Sequence, residues 1–364
     1  MDQSITRSVL DGVATGTRSL LIQGKYSRID ILFPLFDQMA QLTKIPSSVS
    51  PIFGFYYALQ TIFSCFCPNS IYWSERSSDI STISILSQVF WFIDITPSKI
   101  NFLVVFFILL VLTILLIIYF IGVLWFYQRN LRFRTWSLYT TRYIIECFIP
   151  ILLYPSASLF GSAIYILIYE ENRIYWIYAI LSLLILITIT STYYIGHATL
   201  SHSCCISITI FSSFDVFVSF SFYTINMVTI ILSYMFYEFP HYSVNVFQGV
   251  RIILLILLCI HFFKTFPFHH RVTNIFHLSI LLIELLGDFV SFISFLSNKP
   301  NVLINIISTL VFIVAIPIVL SFVIKFIFKK IVNDLSPDED VDLKTDSNCK
   351  EYFDGLGLSN KDKS

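Results

Sequence analysis

The chain has 364 residues, of which 56% are apolar and 13% are charged, about half of the roughly 25% charged residues that are usual in soluble domains. Its 23 basic and 23 acidic side chains cancel, so the net charge gives no reason to expect nucleic acid as a partner. This composition argues against an ordinary soluble protein. It predicts an all-α fold, a polytopic bundle of transmembrane helices.

The two ends of the chain differ in character from its middle. Residues 1–28 bear Ser, Thr and Gly and are mildly basic, which predicts a disordered cytoplasmic lead. At the other end, residues 331–364 form an acidic segment with few large apolar side chains. We predict a disordered, solvated cytoplasmic tail there.

Residues 29–46 follow the lead and combine charged and apolar side chains. Pro34 suits the first turn of a helix, because its missing N–H has no partner there in any case. Four apolar residues then fall on one side of that helix: Leu35, Phe36, Met39 and Leu42. The pattern predicts an amphipathic helix that lies at the membrane interface.

The membrane-spanning segments are the most direct signal in the sequence. Ile100 to Tyr127 are 28 consecutive residues without a charged side chain, whereas a bilayer core of about 30 Å needs only about 20 residues of helix. Residues 47–330 contain eight candidate spans of this kind, near 47–67, 100–127, 138–168, 174–195, 206–237, 250–267, 275–297 and 302–328. In the third, Pro150 and Pro155 each remove a helical hydrogen bond, so we predict a kink.

The distribution of Lys and Arg predicts the orientation of these eight spans. With the amino terminus inside, 18 of the 23 basic residues lie on the cytoplasmic side. The remaining five are assigned to the outside: Arg76, Lys99, Arg173, Arg251 and Lys299. Since cytoplasmic loops of membrane proteins are enriched in basic residues, we predict that both termini are cytoplasmic. The expected location is the plasma membrane.

The largest predicted outer loop covers residues 68–99 and contains an apolar stretch with helical spacing. One interpretation is a helix in the outer interface, with Trp73 and Trp91 as aromatic anchors. The other is a cap that binds a ligand. The sequence contains no feature that selects the cap.

Glu284 and Asp288 are the principal candidates for an intramembrane site. They are four residues apart in the seventh predicted span, so their carboxyl groups share one face of a helix. Two acids in this arrangement could bind a cation or share one proton. They could also be structural, protonated or hydrogen-bonded to Ser and Thr between helices. We predict the structural role, with ion binding as the alternative.

Other ionisable residues within or near the spans have simpler interpretations. Arg142 and Glu146, also four apart, are predicted to form an ion pair within one helix. Asp215 lies near the inner boundary of its span, where we predict a capping or anchoring role. His261, a lone histidine in the sixth predicted span, is predicted to be a packing residue.

Cysteine and histidine patterns give little evidence for metal chemistry. His197 and His202 precede Cys204 and Cys205, but the spacing matches no common zinc pattern. The adjacent cysteines beside the membrane are better suited to reversible palmitoylation. We therefore expect neither a metal nor a cofactor.

One stretch resembles a known family. Residues 29–73 contain the sequence LFPLFDQMA, a first span rich in Phe and Tyr, and the sequence CPNSIYW where the chain leaves that span. This is similar to the amino-terminal membrane region of the large adenylate/guanylate cyclase-type proteins of parasitic flagellate protists. The family's cyclase domain has no counterpart here, so no catalytic residue is carried over. The resemblance implies a membrane or sensor module, a truncated paralogue or a partial gene.

Two functional hypotheses follow. The first is a non-enzymatic membrane anchor or sensor module related to cyclic-nucleotide signalling, with the lipid bilayer and a homo- or hetero-oligomer through the helix bundle as partners. The second is a transporter or channel that uses Glu284 and Asp288. Polar residues converging from several helices would favour the second, because a transport site needs them and a sensor does not.

Overall fold

In the computed structural model, the described residues are 35, 38, 39, 42, 43, 49–65, 80–93, 99–130, 133–169, 175–201, 216–235, 241–267, 271–296, 314–327 and 329. Within these ranges almost all residues are helical and no strand occurs. The helices are α1 Val49–Phe63, α2 Ile80–Trp91, α3 Lys99–Asn130, α4 Thr135–Tyr143, α5 Ile149–Tyr169, α6 Tyr175–Ser201, α7 Val216–Met235, α8 His241–Thr265 and α9 Arg271–Leu296. The predicted all-α fold is therefore confirmed for this part of the chain.

Six helical segments of the described chain are long and apolar enough to cross a membrane: α3, the continuous segment from α4 to α5, α6, α7, α8 and α9. They lie within six of the eight predicted spans or extend beyond them. Helix α1, in the first predicted span, has 15 residues and is shorter than each of these six segments. The structure thus supports an integral membrane protein. The count of eight crossings and the orientation of the termini remain predictions.

Helix α5 lies at the centre of the bundle and packs closely against α6 and α7. Small residues on α5 allow the close approach to α7. A Cβ atom added at Gly161 would lie 2.7 Å from the Tyr234 ring and 3.2 Å from Cα of Ile231. The hydroxyl groups of Ser158 and Tyr234 are 2.6 Å apart at the same interface. This is the small-residue packing expected where helices associate in lipid.

A π-helical turn, Ile144–Phe148, joins α4 to α5. Pro150 lies just beyond it and cannot donate a hydrogen bond to the carbonyl of Glu146, against which its ring would also clash. The wider turn relieves that clash, whereas Pro155 is accommodated inside α5. A π-helical turn is one recognised cause of helix kinks, and it occupies the region where we predicted one.

Helix α2 packs into the bundle, which corrects the interpretation of Trp91 as an interfacial anchor. Trp91 is fully buried, and its ring contacts the Phe63 ring edge-on at 4.9 Å. Side chains of α1 satisfy the last carbonyl groups of α2: the Tyr56 hydroxyl donates to the carbonyl of Val89 and the Gln60 amide donates to that of Phe90, both at 2.7 Å. The other predicted anchor, Trp73, lies outside the described residues.

The segment that precedes α1 contacts the bundle through its apolar side. Leu35 and Met39 are fully buried in a cluster with Val123 of α3, Leu138 of α4 and Ile145 of the π-helical turn. This side chain packing is with protein rather than with lipid. Leu42 was predicted to lie on the same side of the helix as Leu35 and Met39, but its side chain is 41% exposed.

Residues from Ile313 onward form a separate compact unit. Its described part is a helix, α10, Val314–Ile327, in the eighth predicted span. The predicted lead of residues 1–28 and the predicted tail of residues 331–364 lie outside the described residues.

Candidate functional site

A group of polar side chains lies buried where α1, α7, α8 and α9 meet. Arg251 of α8 has an exposed fraction of 1%, and Glu284 and Asp288 of α9 are fully buried. Asn226 of α7 and Ser64, directly after α1, complete the group. We call these five residues the Arg251 cluster. Each of these four elements contributes at least one polar group.

Arg251 is the centre of this cluster. Its Nη1 donates to Asp288 Oδ1 at 2.8 Å and to the carbonyl oxygen of Ser64 at 3.1 Å. Its Nη2 donates to Oγ of Ser64 at 2.7 Å and to Oδ1 of Asn226 at 3.1 Å, and it also forms an ion pair with Glu284 Oε1. The guanidinium group therefore bridges both acidic side chains of α9 and also joins α8 to α7 and to the end of α1. Charge-assisted hydrogen bonds of this kind are about twice as strong as neutral ones.

The other polar groups complete the contacts of Glu284. The Asn226 amide donates to Glu284 Oε2 at 3.3 Å, and the Ser64 hydroxyl lies 3.3 Å from Glu284 Oε1. The backbone carbonyl of Glu284 accepts a contact from Cys65 Sγ at 3.3 Å. Glu284 is thus hydrogen-bonded through both carboxyl oxygens, consistent with a fixed position.

Asp288 is less completely bonded. Its Oδ1 accepts from Arg251, but its Oδ2 has no hydrogen-bond partner among the described residues. Gln248, one turn before Arg251 on α8, donates to the backbone carbonyl of Asp288 at 3.3 Å, while its own Oε1 has no partner in the described chain. Two acceptor oxygens therefore lie at this end of the cluster with unused hydrogen-bonding capacity.

The formal charges of the cluster do not cancel. Arg251 contributes one positive charge, whereas ionised Glu284 and Asp288 would contribute two negative charges. Burying an uncompensated charge costs several kcal/mol, so the bonded geometry favours the uptake of one further positive charge. A proton on Asp288 Oδ2 would make the cluster neutral and would turn that oxygen from an acceptor into a hydrogen-bond donor.

Arg251 corrects the orientation argument made from the sequence. It was counted among the five basic residues outside the membrane, but α8 begins at His241, so Arg251 lies well within the helix and is buried. The assignment failed because the apolar run that defined this span begins only at Val250. Asn245, Gln248 and Arg251 recur every three residues, a spacing that places them near one face of a helix and that could have revealed the site.

Arg142 and Glu146 form a second buried charged pair. Arg142 Nε lies 3.2 Å from Glu146 Oε1, and both side chains are at most 4% exposed. Arg142 Nη1 also donates to the backbone carbonyl of Thr43 and lies 3.3 Å from its hydroxyl oxygen. The pair therefore connects the segment before α1 to the junction of α4 and the π-helical turn.

The remaining candidates from the sequence do not join either group. His261 lies on α8, partly buried, with its ring 5.3 Å from that of Phe217 in an edge-on contact. Asp215, Cys204 and Cys205 lie outside the described residues. Within the part of the chain that the structure describes, no three metal-capable side chains come together.

A column of buried tyrosines adjoins the Arg251 cluster. Tyr57, Tyr154, Tyr193 and Tyr223 are each at most 1% exposed. Their ring centroids are separated by 6.1 Å between Tyr57 and Tyr154, 5.2 Å between Tyr57 and Tyr223, and 4.4 Å between Tyr193 and Tyr223. We call these four residues the tyrosine column.

Both ends of the tyrosine column contact other polar groups. The Tyr154 hydroxyl lies 3.1 Å from that of Thr61 and interacts with Asn226 and Glu284, which links the column to the Arg251 cluster. At the other end, the Tyr193 ring lies 4.2 Å from the imidazole of His197, near the end of α6. A series of polar side chains therefore leads from the cluster toward one end of the bundle.

No protein-family model matches the chain, and no curated protein or solved structure shows significant similarity to it.

Proposed function

We propose that this chain is a membrane transport protein that conducts protons through the Arg251 cluster. The observation that carries the proposal is the convergence of charged and amide side chains from several helices on one buried site. Intramembrane ionisable residues of this kind commonly mark ion or proton pathways, because their burial is costly. This convergence is also the feature that separates a transport site from a simple anchor.

Asp288 is the proposed proton acceptor. The groups that face it are Arg251 and Gln248 from α8 and Glu284 from its own helix. Loss of the proton leaves two carboxylates beside one guanidinium, and uptake of the proton restores neutrality. The net charge of the site is therefore zero with the proton and minus one without it. Because Arg251 can balance only one carboxylate, the second carboxyl group can bind and release a proton.

The tyrosine column supports a path between this acceptor and one membrane face. Tyrosine hydroxyl groups both donate and accept hydrogen bonds. The Tyr193 and Tyr223 hydroxyls have no hydrogen-bond partner among the described residues, so passage of a proton along the column requires these groups to rotate into contact. Tyr154 lies next to the cluster, and His197 lies beside Tyr193 at the far end. Histidine side chains exchange protons near physiological pH. His197 is only 4% exposed, so its exchange with water requires local opening at this end of the bundle.

Proton flux into vesicles tests this proposal. The purified chain is reconstituted in liposomes that contain a pH-sensitive dye, with the membrane potential clamped by valinomycin and potassium. We expect acidification in response to an imposed pH gradient, and Asp288→Asn should abolish it because the amide cannot exchange a proton. Glu146→Gln is the matched control, since it removes a buried carboxylate from the other ion pair and should leave flux unchanged.

Two results would refute proton conduction. Wild-type vesicles that acidify no faster than protein-free vesicles would exclude it. Equal flux in the wild type and in Asp288→Asn would exclude the cluster as its route, provided that both proteins reach the bilayer in equal amounts.

A second candidate is the non-enzymatic anchor or sensor module that the resemblance of residues 29–73 implies. It is favoured by the contact of Arg142 with Thr43, which ties part of that segment to the bundle. A shift of α4 would therefore move the segment around Thr43, before α1. Signalling through a membrane requires a mechanical connection of this kind. Such a module would act by pairing with a chain that carries a cyclase domain, through the helix bundle.

The module hypothesis carries the expectation that this polypeptide has no cyclase activity of its own. Nucleotide cyclisation uses metal ions bound by carboxylates to orient a triphosphate. Purified chain incubated with ATP or GTP and Mg²⁺ or Mn²⁺ should form no cyclic product. A measurable rate from the homogeneous chain would contradict both this expectation and the module hypothesis.

The proposed topology has eight crossings, with α1 and the span near residues 302–328 added to the six long helical segments, and both termini in the cytoplasm. Arg142 and Arg251 are both buried in the bundle, so neither belongs to a loop, and removing one from each side leaves 17 basic residues inside and four outside. The proposed location is the plasma membrane.

A further inference from the structure

A groove of about 320 Å³ lies between the second half of α3 and the start of α4. Apolar side chains form most of its wall, with one cationic residue at its edge: Ile118, Gly122, Val123, Phe126, Trp136 and Arg134. Gly122 forms an open part of the wall, since a Cβ atom added there would meet no atom within 4 Å. The groove therefore has room for a chain-like apolar ligand.

Two guanidinium groups lie at the end of α3 and beside the groove. Arg129 stacks over the Trp125 ring at 5.1 Å, and Arg134 stacks over the Phe126 ring at 4.7 Å. Neither guanidinium group has a hydrogen-bond or ion-pair partner among the described residues, and no acidic side chain lines the groove in that part of the chain. Their donors are thus available to an anion, with the rings holding them in position.

The groove is oriented as a phospholipid would be, with its cationic end at the membrane surface and its apolar wall in the hydrocarbon region. Arg129 lies in the last turn of α3, after a long apolar run, so the cationic end marks the membrane surface. Trp125 and Trp136, with exposed fractions of 57% and 58%, both line the groove, and tryptophan is enriched at the surfaces of the membrane. The apolar wall extends from this level back along α3 into the hydrocarbon region.

We propose that this groove binds one anionic phospholipid, with the phosphate-bearing headgroup at Arg129 and Arg134 and an acyl chain along Gly122 and Ile118. Guanidinium groups bind phosphate oxygens through paired hydrogen bonds, and the apolar wall distinguishes a lipid from a free phosphate. The site is separate from the Arg251 cluster and does not depend on proton conduction.

Native mass spectrometry of the purified chain tests this site. The detergent-solubilised protein is titrated with phosphatidylglycerol, phosphatidylcholine or glycerol phosphate, and the bound molecules per chain are counted. We expect one phosphatidylglycerol to remain bound at concentrations at which phosphatidylcholine and glycerol phosphate do not.

Two kinds of variant locate the binding. Gly122→Phe should fill the groove and remove the bound lipid, whereas Gly249→Phe, at a second helical glycine with open space around it, should not. Exchanging Arg129 and Arg134 together for Gln should weaken phosphatidylglycerol binding roughly tenfold or more, since each cation near the surface contributes to the attraction. These two side chains are exposed, so their loss should not impair folding.

Three outcomes would overturn the proposal. Equal retention of phosphatidylcholine would show that the charge is not recognised. Binding of glycerol phosphate as tightly as lipid would show a phosphate site without a role for the groove. Undiminished phosphatidylglycerol binding in the double arginine variant would place the lipid elsewhere, even if Gly122→Phe failed to fold.

Discussion

Arg251 on α8 donates from Nη1 to Oδ1 of Asp288 on α9 at 2.8 Å, and both side chains are almost completely buried. The same guanidinium group pairs with Glu284, one helical turn away. One cation thus compensates two carboxylic acids inside a helix bundle. The balance of these three groups determines what each substitution should do.

Arg251→Met is expected to be the most destabilising single change at the cluster. It leaves both acids without their cation, and breaking a buried pair by removing one partner costs about 3–5 kcal/mol. The apparent unfolding temperature in detergent, followed by circular dichroism, should fall sharply. Glu284→Gln alone should have a smaller effect, because Arg251 and Asp288 remain as a balanced pair.

The triple variant Arg251→Met, Glu284→Gln, Asp288→Asn separates charge from packing. With no ionised group left, the cost of an uncompensated charge disappears, and the triple variant should be more stable than Arg251→Met alone. If the triple variant is no more stable than Arg251→Met, the stability lost in the single variant comes from packing rather than from charge.

Replacing both acids, with Glu284→Gln and Asp288→Asn, should leave expression and membrane insertion intact. The amide oxygens can still accept from Arg251 and Ser64, although the positive charge of Arg251 is then uncompensated. We therefore expect normal membrane yield by fractionation, but a lower unfolding temperature than in either single amide variant. A double variant as stable as the wild type would show that the charge balance is unimportant.

Local sequence patterns predict much of this architecture. The site, in contrast, depends on contacts between residues that are far apart in the sequence. The six long helical segments follow from long, mostly apolar runs, and the shared face of Glu284 and Asp288 follows from their spacing of four. Arg251, Asn226 and Ser64 are brought to those acids only by helix packing. No periodicity within one helix specifies which helix lies beside it, so the polar spacing on α8 could mark Arg251 as a site residue but could not pair it with the acids of α9.

Trp91 illustrates the same limit at the level of a single side chain. A tryptophan near the end of an apolar stretch is typical of a membrane interface, and that pattern predicted an anchor. Its burial against Phe63 depends on the docking of α2 on α1, through the side chains of Tyr56 and Gln60. The residues in that contact are about thirty positions apart in the sequence, so no local sequence pattern predicts it.

Gly161→Leu should destabilise the bundle at the interface of α5 and α7. The new side chain would meet the Tyr234 ring and the backbone of Ile231, and overpacking of this kind costs about 1–3 kcal/mol. Gly249→Leu is the matched control, because its Cβ has open space and leucine favours a helix over glycine. The unfolding temperature of the first should fall, while that of the second should be unchanged or higher.

Gln60→Leu should loosen α2 without unfolding the bundle. The Gln60 amide donates to the carbonyl of Phe90 at 2.7 Å and to that of Ile151 at 3.2 Å, so it joins α2 and α5 to α1. Leucine preserves the volume but leaves these carbonyl groups without this donor, at about 1–3 kcal/mol for each unsatisfied group. Hydrogen exchange by mass spectrometry should show faster exchange in α2, with α6 as an unaffected reference. Equal exchange in α2 of both proteins would mean that other contacts hold this helix.

The orientation of the chain can be tested with reporters that are active in only one compartment. The asymmetry of the basic residues predicts that both termini are cytoplasmic, since Lys and Arg are retained on that side. A reporter active only in the cytoplasm should give a signal when fused after Ser364 and no signal when inserted in the loop of residues 70–98. The reverse pattern, with a silent carboxyl-terminal fusion and an active loop insertion, would invert the proposed topology. Signal at both positions would instead show an even number of crossings between the loop and the carboxyl terminus, contrary to the seven that eight spans require.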